Sequence, residues 1–273
     1  DFQPNETRNM LTTITPYWNR PTQLLAWVRR VKVATTPDLH HFVYFVGEKP
    51  PEWWDREVPP NMTALCRNEE PNLSIGHYHN LGAEQANTVW IMKLDVDALP
   101  HSGFFAALQK KLMSAGPREW FNVGMVYINA VWSETNLGPS QIVDRDTYHH
   151  LMRNLHACSS SSYRYPAASN FVCRRDVYLS LGGCDSRFRG YGWEDYQQLF
   201  MLEKYQRQCN PLPGPITLAN VTRRCRDEIS RPKALALWRS DAELCLLHRH
   251  HRGSSDPVYR SSMDNNRNVL HHY

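Results

Sequence analysis

Short apolar runs alternate with segments of helical spacing along the first part of the chain. Residues 10–15 and 41–48 are rich in β-branched and aromatic side chains, a pattern that predicts strands. Apolar residues recur at helical spacing over residues 24–31, and a second helix is predicted around 81–87. The apolar run at 89–94 predicts a third strand. This order predicts an α/β fold with a mixed, mostly parallel sheet flanked by helices.

The second part of the chain carries weaker signals. A helix is predicted over residues 103–112 and a strand over 123–131. Regular structure resumes at 171–181, and a glycine-rich turn then leads into a helix with an apolar face over 196–205. We expect the stretch from 49 to 72, which is marked by prolines and by Trp53 and Trp54, to be a loop.

No internal repeat or linker interrupts this pattern, so a single domain is predicted. We expect it over residues 10–252. Residues 1–9 are polar and predict a flexible tail, and residues 253–273 are polar and predict irregular chain.

Composition and charge exclude several classes of protein. The 273 residues are 41% hydrophobic and 21% charged, which is ordinary for a globular protein and not for a disordered one. The net charge is only +4, and no block of Lys and Arg forms a nucleic-acid-binding stripe. No run reaches the ~18 apolar residues of a transmembrane helix. Neither nucleic acid nor a membrane is therefore an expected partner of this chain.

Cysteines and glycosylation sequons bear on the compartment. The seven cysteines show no C-x-x-C spacing, so a zinc site is not predicted. Four N-x-[ST] sequons favour a secretory compartment. They begin at Asn5, Asn61, Asn72 and Asn220. Disulfides form in such a compartment, and Cys209–Cys225, across a proline-rich loop, is the first candidate pair.

Two carboxylates follow the third predicted strand. Asp95 and Asp97 alternate along an extended chain, so both can face one cation. They lie at the carboxyl end of a strand, where open α/β sheets bind ligands. Hard oxygen ligands suit Mg²⁺ or Mn²⁺, which are commonly shared with a substrate diphosphate. The alternative interpretation is an ordinary surface turn.

A glycine-rich turn with aromatic residues ends in a second acid pair. Tyr191 and Trp193 offer flat apolar faces between the glycines, on which sugar rings stack. Glu194 and Asp195 open the helix that follows, and a helix N-terminus favours the ionised acid. The alternative interpretation is a pair of acids that caps a helix after a structural turn.

A histidine cluster follows the short apolar segment 244–247. On a strand, His248 and His250 point to one face and could complete the shell of a cation. The alternative interpretation is a solvated basic stretch.

Five segments, in this order along the chain, carry a family resemblance. They are residues 15–20 (Thr-Pro-Tyr-Trp-Asn-Arg), 79–82 (His-Asn-Leu-Gly), 95–100 (Asp-Val-Asp-Ala-Leu-Pro), 190–195 (Gly-Tyr-Gly-Trp-Glu-Asp) and 248–250 (His-Arg-His). The set resembles the metal-dependent GT-A glycosyltransferases, and most closely the β-1,4-galactosyltransferase family. The ordered set is more specific than any one of its members.

Three departures from that family concern the transferred sugar. Trp193 stands where the family has a glycine beside the acids, and this should reshape the acceptor pocket. Ile75 or His77 stands where the family has a donor-site Arg or Lys. Residues 15–20, followed by 37–40, also resemble the β-1,3-glucuronyltransferases. The identity of the transferred sugar therefore stays open.

The resemblance implies an inverting transfer from a UDP-sugar to a glycan hydroxyl. Galactose or a related hexose is the first expectation, and a glucuronosyl group is the alternative. Asp97, His248 and His250 would hold Mn²⁺ or Mg²⁺. Asp195 would take the proton from the acceptor hydroxyl. Glu194, Tyr191 and Trp193 would bind the acceptor.

The resemblance also implies a donor site in the first half of the domain. Residues 10–100 would form the nucleotide-sugar-binding half, and residues 101–252 the acceptor-binding half. The implied donor-site residues are Thr15, Tyr17, Asn19, Arg20, Glu48, Asn80 and Asp95. Glu48 would contact the donor base, and Asp95 would hold the ribose or orient the site rather than bind the metal.

Two alternatives come from other classes of protein. A nucleotidyltransferase uses the same logic of metal and diphosphate, but it carries a glycine-rich loop with Lys or Arg after the first strand. Here that position is Tyr17-Trp18-Asn19-Arg20. The other alternative is a carbohydrate-binding relative that has lost catalysis. We expect the lumen of the secretory pathway (Golgi), with this chain as the soluble part of an anchored enzyme; a cytoplasmic bacterial or viral enzyme is the alternative.

Overall fold

A computed structural model describes most of the chain. The described residues are 10–68, 73–128, 133, 135, 137–138, 140–153, 170–190, 192–209, 245–248 and 263–270. The strands are β1 Leu11–Tyr17, β2 Leu39–Val46, β3 Met62–Arg67, β4 Trp90–Lys93, β5 Ala98–Leu99, β6 Phe121–Asn122, β7 Gly124–Tyr127, β8 Phe171–Arg174 and β9 Cys245–His248. The helices are α1 Pro21–Ala34, α2 Trp54–Glu57, α3 Ile75–Gln85, α4 Phe104–Met113, α5 Arg145–Arg153, α6 Arg175–Ser180, α7 Glu194–Cys209 and α8 Met263–Leu270.

The strands form a six-stranded sheet in the order β3-β2-β1-β4-β8-β6 and a small sheet in the order β5-β9-β7. Strands β3, β2, β1 and β4 are parallel, β8 pairs antiparallel with β4, and β6 pairs antiparallel with β8. In the small sheet β9 runs antiparallel to β5 and parallel to β7. The predicted fold class, a mixed and mostly parallel sheet flanked by helices, is confirmed. Within the part of the chain that the structure describes, no helix could cross a membrane.

Helices cover both faces of the large sheet. On one face α1 and α4 bury apolar residues such as Trp27, Val28 and Phe105 against the sheet. On the other face Ile14 of β1 packs with α3 and with residues of α7. Gly82 of α3 permits this approach, because a Cβ there would lie 2.5 Å from Cγ2 of Ile14.

Strand β1 passes through Pro16, where the sequence predicts that it ends. The amide of Leu94 donates to the carbonyl of Ile14, so the backbone N–H and C=O groups of even-numbered residues of β1 point towards β4. Pairing with β4 ends at the Ile14–Lys93 pair. The missing N–H of Pro16 therefore faces a side where β4 has ended, so no ladder hydrogen bond is lost.

Three elements contradict the sequence-based expectations, and the first is the short helix α2 inside the predicted loop 49–72. Strand β3 lies inside the predicted loop 49–72; it is an edge strand, and its side chains are mostly exposed or half-buried, so no apolar run marks it. Residues 263–270 form helix α8, so the expectation of irregular chain over 253–273 is wrong there. The apolar residues among the described side chains of α8 are Val269 and Leu270, which are too few to give a helical period.

The features that favour a secretory compartment fall mostly outside the described residues. Asn61 is the one of the four sequons that the described residues include. Its Nδ2, the atom that would carry a glycan, donates to the carbonyls of Thr36 and Leu39 at 3.1 and 2.6 Å. Asn61 is therefore engaged in the folded chain. The candidate disulfide Cys209–Cys225 lies outside the described side chains.

Candidate active site

The carboxyl ends of β1, β2 and β4 meet at one edge of the large sheet because these strands are parallel. This edge carries Tyr17 at the end of β1, Glu48 just after β2, and Asp95 and Asp97 just after β4. The sequence-predicted donor and metal residues of the first half are thus brought together by topology.

Asp97 is buried, with a side chain 7% exposed, and Nη1 of Arg20 lies 2.7 Å from its Oδ2. The next residue, Ala98, pairs with His248 of β9, so the backbone of His248 lies beside the Asp97 segment. The side chain of His248 and all of His250 lie outside the described residues. Among described side chains, no group of three His, Cys, Asp or Glu residues surrounds a cation position.

The segment after β1 is held by Glu48. The amide of Asn19 donates to Oε1 of Glu48 at 2.7 Å, and Asn19 has a positive φ of 44°. The amide of Arg20 donates to the hydroxyl of Tyr17 at 3.2 Å. Burial, with the nearby Glu48 carboxylate, raises the pKa of Tyr17 to about 12. Thr15 and Tyr17 are both buried, and their roles at the donor site stay predictions.

Asp95 is held by a residue that the sequence does not single out. Its amide donates to Oδ1 of Asn170 at 3.0 Å, and Nδ2 of Asn170 donates to its Oδ2 at 3.5 Å. Asn170 is fully buried and directly precedes β8. It fixes the turn between β4 and β5.

The acid pair at the start of α7 meets a buried lysine. Glu194 is 1% exposed, whereas the side chain of Asp195 is 21% exposed. Lys93, the last residue of β4, is 3% exposed, and its Nζ forms an ion pair with Oδ1 of Asp195. A lysine inside the apolar run 89–94 is the signal that could have found it, because a buried ammonium needs a partner.

Burial works against the charge of Glu194. It raises the pKa of this carboxyl, while Lys93 and backbone N–H groups act in the opposite direction. For Glu194 the desolvation cost is thus larger than the favourable effect of the helix N-terminus. His79 lies behind the pair, and its burial, together with the charge of Lys93, lowers its pKa well below the usual value.

Asn80 holds the turn that precedes the acids. Its Nδ2 donates to the carbonyl of Cys184, and its Oδ1 accepts from the Cys184 amide and the Tyr178 hydroxyl, each at 2.8 Å. Nε2 of Gln197 in α7 donates to the carbonyl of Gly183 at 3.3 Å. The side-chain amide of Asn80 is thus engaged by protein atoms, and its role at the donor site stays a prediction.

Trp193 is half-buried and adopts a left-handed φ of 73°, which is uncommon for a bulky residue. Its ring centroid lies 5.5 Å from that of Tyr196. Tyr191 lies outside the described residues. This strained residue directly precedes the acid pair in the sequence. Backbone strain of this kind is concentrated at functional sites.

A family model described as "Glycosyltransferase like family 2" matches residues 61–271. The chain belongs to this family. The match spans the acids at 95 and 97, the acid pair at 194 and 195, and helix α8. Membership in glycosyltransferase-like family 2 confirms the glycosyltransferase class, but it is broader than the predicted β-1,4-galactosyltransferase resemblance.

Three solved structures are similar to this chain at low sequence identity. TarS 1–349 of S. aureus is 11% identical, with a TM-score of 0.45, over 72% of this chain and 55% of that one. The catalytic domain of Drosophila β-1,4-galactosyltransferase 7, in complex with xylobiose, is 15% identical, with a TM-score of 0.38, over 72% and 62%. Glucosyl-3-phosphoglycerate synthase of Mycobacterium tuberculosis, in complex with Mn²⁺, UDP and phosphoglyceric acid, is 12% identical, with a TM-score of 0.44, over 72% and 65%.

The matched region spans between about half and two thirds of these three proteins. A search of curated protein sequences finds no match. Family membership therefore rests on the family model.

Proposed function

We propose that this member of glycosyltransferase-like family 2 transfers a sugar from a UDP-sugar to a glycan hydroxyl with inversion at the anomeric carbon. One observation carries the proposal. Strand β4 ends in Lys93, which pairs with Asp195, and Asp97 follows four residues later. Two carboxylates with different surroundings thus meet at the end of one strand, at the edge where α/β sheets bind ligands.

Asp195 is the proposed base. It is more exposed than Glu194 and lies beside a fixed positive charge, so it can reach an acceptor while Lys93 orients it. As the acceptor oxygen attacks the anomeric carbon, its proton passes to the carboxylate of Asp195, and the bond between that carbon and the diphosphate oxygen breaks. Glu194 is proposed to bind the acceptor, with Tyr191 and Trp193 stacking on its sugar rings.

A divalent cation, Mn²⁺ or Mg²⁺, fits the residues at this edge. Asp97 offers a hard oxygen ligand, and it already attracts the positive guanidinium of Arg20. His248 and His250 are the proposed nitrogen ligands, supported by the register that brings the backbone of His248 beside Ala98. Such a cation neutralises charge that develops on a leaving diphosphate.

The donor site is proposed at the ends of β1 and β2. Arg20 and Asn19 border the same edge as Asp95, and Glu48 holds the Asn19 backbone. We propose galactose or a related hexose as the transferred sugar, with a glucuronosyl group as the alternative. The secretory lumen (Golgi), with this chain as the soluble part of an anchored enzyme, is the proposed place of action.

The test is transfer from a panel of UDP-sugars, with Mn²⁺ and with EDTA. In Asp195→Asn we expect turnover to fall by about 10²–10⁴-fold with donor binding preserved. Glu194→Gln should raise the KM for the acceptor. Asp38→Asn is the matched control, because Asp38 is an exposed acid at the amino end of β2, at the opposite edge of the sheet.

Two results would contradict the proposal. If the wild-type protein transfers sugar from none of the UDP-sugars, the proposed function is wrong. Full turnover in Asp195→Asn, together with loss of turnover in Glu194→Gln, would reverse the two roles.

A further inference from the structure

Helix α8 grips the loop that leads into the acid pair. Asn266 of α8 is 1% exposed. Its Oδ1 accepts from the amide of Arg189 at 2.8 Å, and its Nδ2 donates to the carbonyls of Arg189 and Gly192 at 2.5 and 3.0 Å. One side chain thus holds both ends of a four-residue segment that stops two residues before Glu194.

Three described residues in and just after this segment have backbone conformations that a regular helix or strand does not use. Gly190, Gly192 and Trp193 have positive φ angles of 57°, 99° and 73°. Backbone groups in such a conformation do not pair within a helix or a long ladder, so they need partners from elsewhere. A left-handed Trp193 also costs about 1–2 kcal/mol, and it persists only where its surroundings over-determine it.

Apolar contacts fix α8 in the position that this grip requires. Leu270 is 3% exposed and packs with Phe188 and Cys184. Val269 of α8 and Trp193 border the same cluster. Asn268 lies on an exposed side of the helix. The helix is therefore docked on the loop through one side, with Asn266 as its buried polar contact.

A different set of side chains holds the start of the same turn. Asn80 and Gln197 bind the backbone of Gly183 and Cys184. Asn266 holds the later part, which carries Trp193 and the acids. The hydrogen bonds to Gly183 and Cys184 come from α3 and α7, whereas those to Arg189 and Gly192 come from α8. The bonds from Asn266 can therefore be removed without removing the others.

We propose that Asn266 is a positioning residue for the acceptor side of the active site. By fixing the carbonyls of Arg189 and Gly192, it sets where Trp193, Glu194 and Asp195 lie relative to the donor edge. It acts through the loop and touches no substrate. The kinetic part of this inference rests on the proposed glycosyl transfer.

The first measurement is hydrogen exchange of the peptide that spans the loop, and it needs no activity. Asn266→Ala removes the acceptor for the Arg189 amide, so exchange there should speed up by about 10- to 100-fold. Asn266→Asp keeps an oxygen for that amide but loses the donor to the two carbonyls, so protection of the amide should be retained. Asn268→Ala, on the exposed side of α8, is the matched control and should exchange as the wild type does.

The second measurement separates acceptor from donor kinetics. In Asn266→Ala and Asn266→Asp we expect kcat/KM for the acceptor to fall by about 10- to 100-fold, with the KM for the donor within about twofold of wild type. A purely structural role would lower kcat/KM for the acceptor and for the donor together, and this result would overturn the inference. Unchanged acceptor kinetics in both variants would overturn it as well. An inactive wild type would refute the proposed function, whereas an unchanged exchange rate in Asn266→Ala would refute the grip itself.

Discussion

Lys93 brings a charge into the interior at the end of β4, and a charge there requires partners. Its ion pair with Asp195 joins the central sheet to the first turn of α7. Breaking a buried pair leaves the other charge uncompensated, and this is costly even where the intact pair adds little stability.

Lys93→Met should therefore lower the free energy of unfolding by up to about 3 kcal/mol, the lower end for buried pairs, because a fifth of the Asp195 side chain is exposed. The same change in an Asp195→Asn background should cost at least about 1 kcal/mol less, since the pair is already broken. Urea unfolding of the four proteins measures this coupling. Lys110→Met, on the exposed side of α4, is the control, and additive costs would contradict the pairing.

Arg20 and a divalent cation would compete for the same carboxylate of Asp97. Arg20→Gln should therefore tighten Mn²⁺ binding by about fivefold, the size of a partly exposed ion pair. Asp97→Asn should weaken it strongly. Titration calorimetry with Mn²⁺ alone measures both without turnover. Arg29→Gln is the control because Arg29 pairs with Glu57; equal Mn²⁺ affinity in all four proteins would remove Asp97 as a ligand.

At the scale of elements, α3 and β1 touch through a glycine. A Cβ at Gly82 would meet Cγ2 and Cγ1 of Ile14 at 2.5 and 2.8 Å. Gly82→Ala should cost about 1–3 kcal/mol from overpacking, and Ile14→Ala about 2–5 kcal/mol from the cavity. The double variant should be about 1–2 kcal/mol more stable than the sum, because the new methyl group enters the space that Ile14 leaves.

Urea unfolding of the single and double variants tests this contact. Gly103→Ala is the control, because a Cβ there meets its nearest neighbour at an ordinary 3.5 Å. It should be additive with Ile14→Ala. Additivity for Gly82→Ala as well would show that α3 moves away from β1 rather than packing on Ile14.

A buried histidine ties β1, β2 and α1 together. Nδ1 of His41 lies 2.7 Å from the hydroxyl of Thr13, and its Nε2 lies 2.8 Å from that of Thr35. Burial, with a smaller effect of His40, lowers the pKa of His41 to about 3. The unfolded chain takes up a proton near pH 6.5 and the folded chain does not. The stability is therefore complete above about pH 6.5 and is lost as the pH falls towards 3.

Each such histidine contributes a slope of up to about 1.4 kcal/mol per pH unit within that window. His41→Gln should be less stable than wild type near neutral pH but should lose less stability from about pH 6.5 to about pH 4.5. Urea unfolding across this range gives the slopes. Asn268→Ala, at an exposed site on α8, is the control and should keep the wild-type slope. An unchanged slope in His41→Gln would contradict a neutral His41.

The elements that the sequence predicts are those with a strong local period. Strand β1 is rich in β-branched residues, β2 and β4 are mostly apolar, and α1 and α4 have clear apolar faces. Strand β3 and helix α8 lack such a pattern, because an edge strand is half exposed and the described side chains of α8 include only two apolar residues, Val269 and Leu270. Their positions depend on partners far away in the sequence.

The same difference applies to the site. Asp97 and Asp195 are part of short motifs that a sequence displays directly. Asn170 and Asn266 contact their partners 75 and 77 residues away, and no local pattern marks them. The position of Glu194 at a helix N-terminus favours an ionised carboxyl. The sequence does not show the burial of Glu194, which raises the pKa of that carboxyl.

At the scale of the whole molecule, the end of β4 lies between two parts of the proposed site. One is the carboxyl edge of the parallel strands, where the donor site is proposed, and the other is the loop and helix that carry the acid pair. Lys93 holds Asp195 there, and Asp97 faces Arg20 from the end of β1. A single displacement needs a base that deprotonates the acceptor on the face of the sugar opposite the leaving diphosphate. A retaining transfer needs no carboxylate in that place.

We therefore expect a β-linked product from an α-linked UDP-sugar. Proton NMR of the anomeric signals, recorded early in the reaction, distinguishes the two linkages by their couplings, and the donor in the same spectrum gives the α reference. Asp195→Asn is the control and should give neither anomer at an appreciable rate, because the acceptor proton then has no carboxylate to receive it. An α-linked product would contradict both the inverting mechanism and the role of Asp195, while leaving the membership in glycosyltransferase-like family 2 intact.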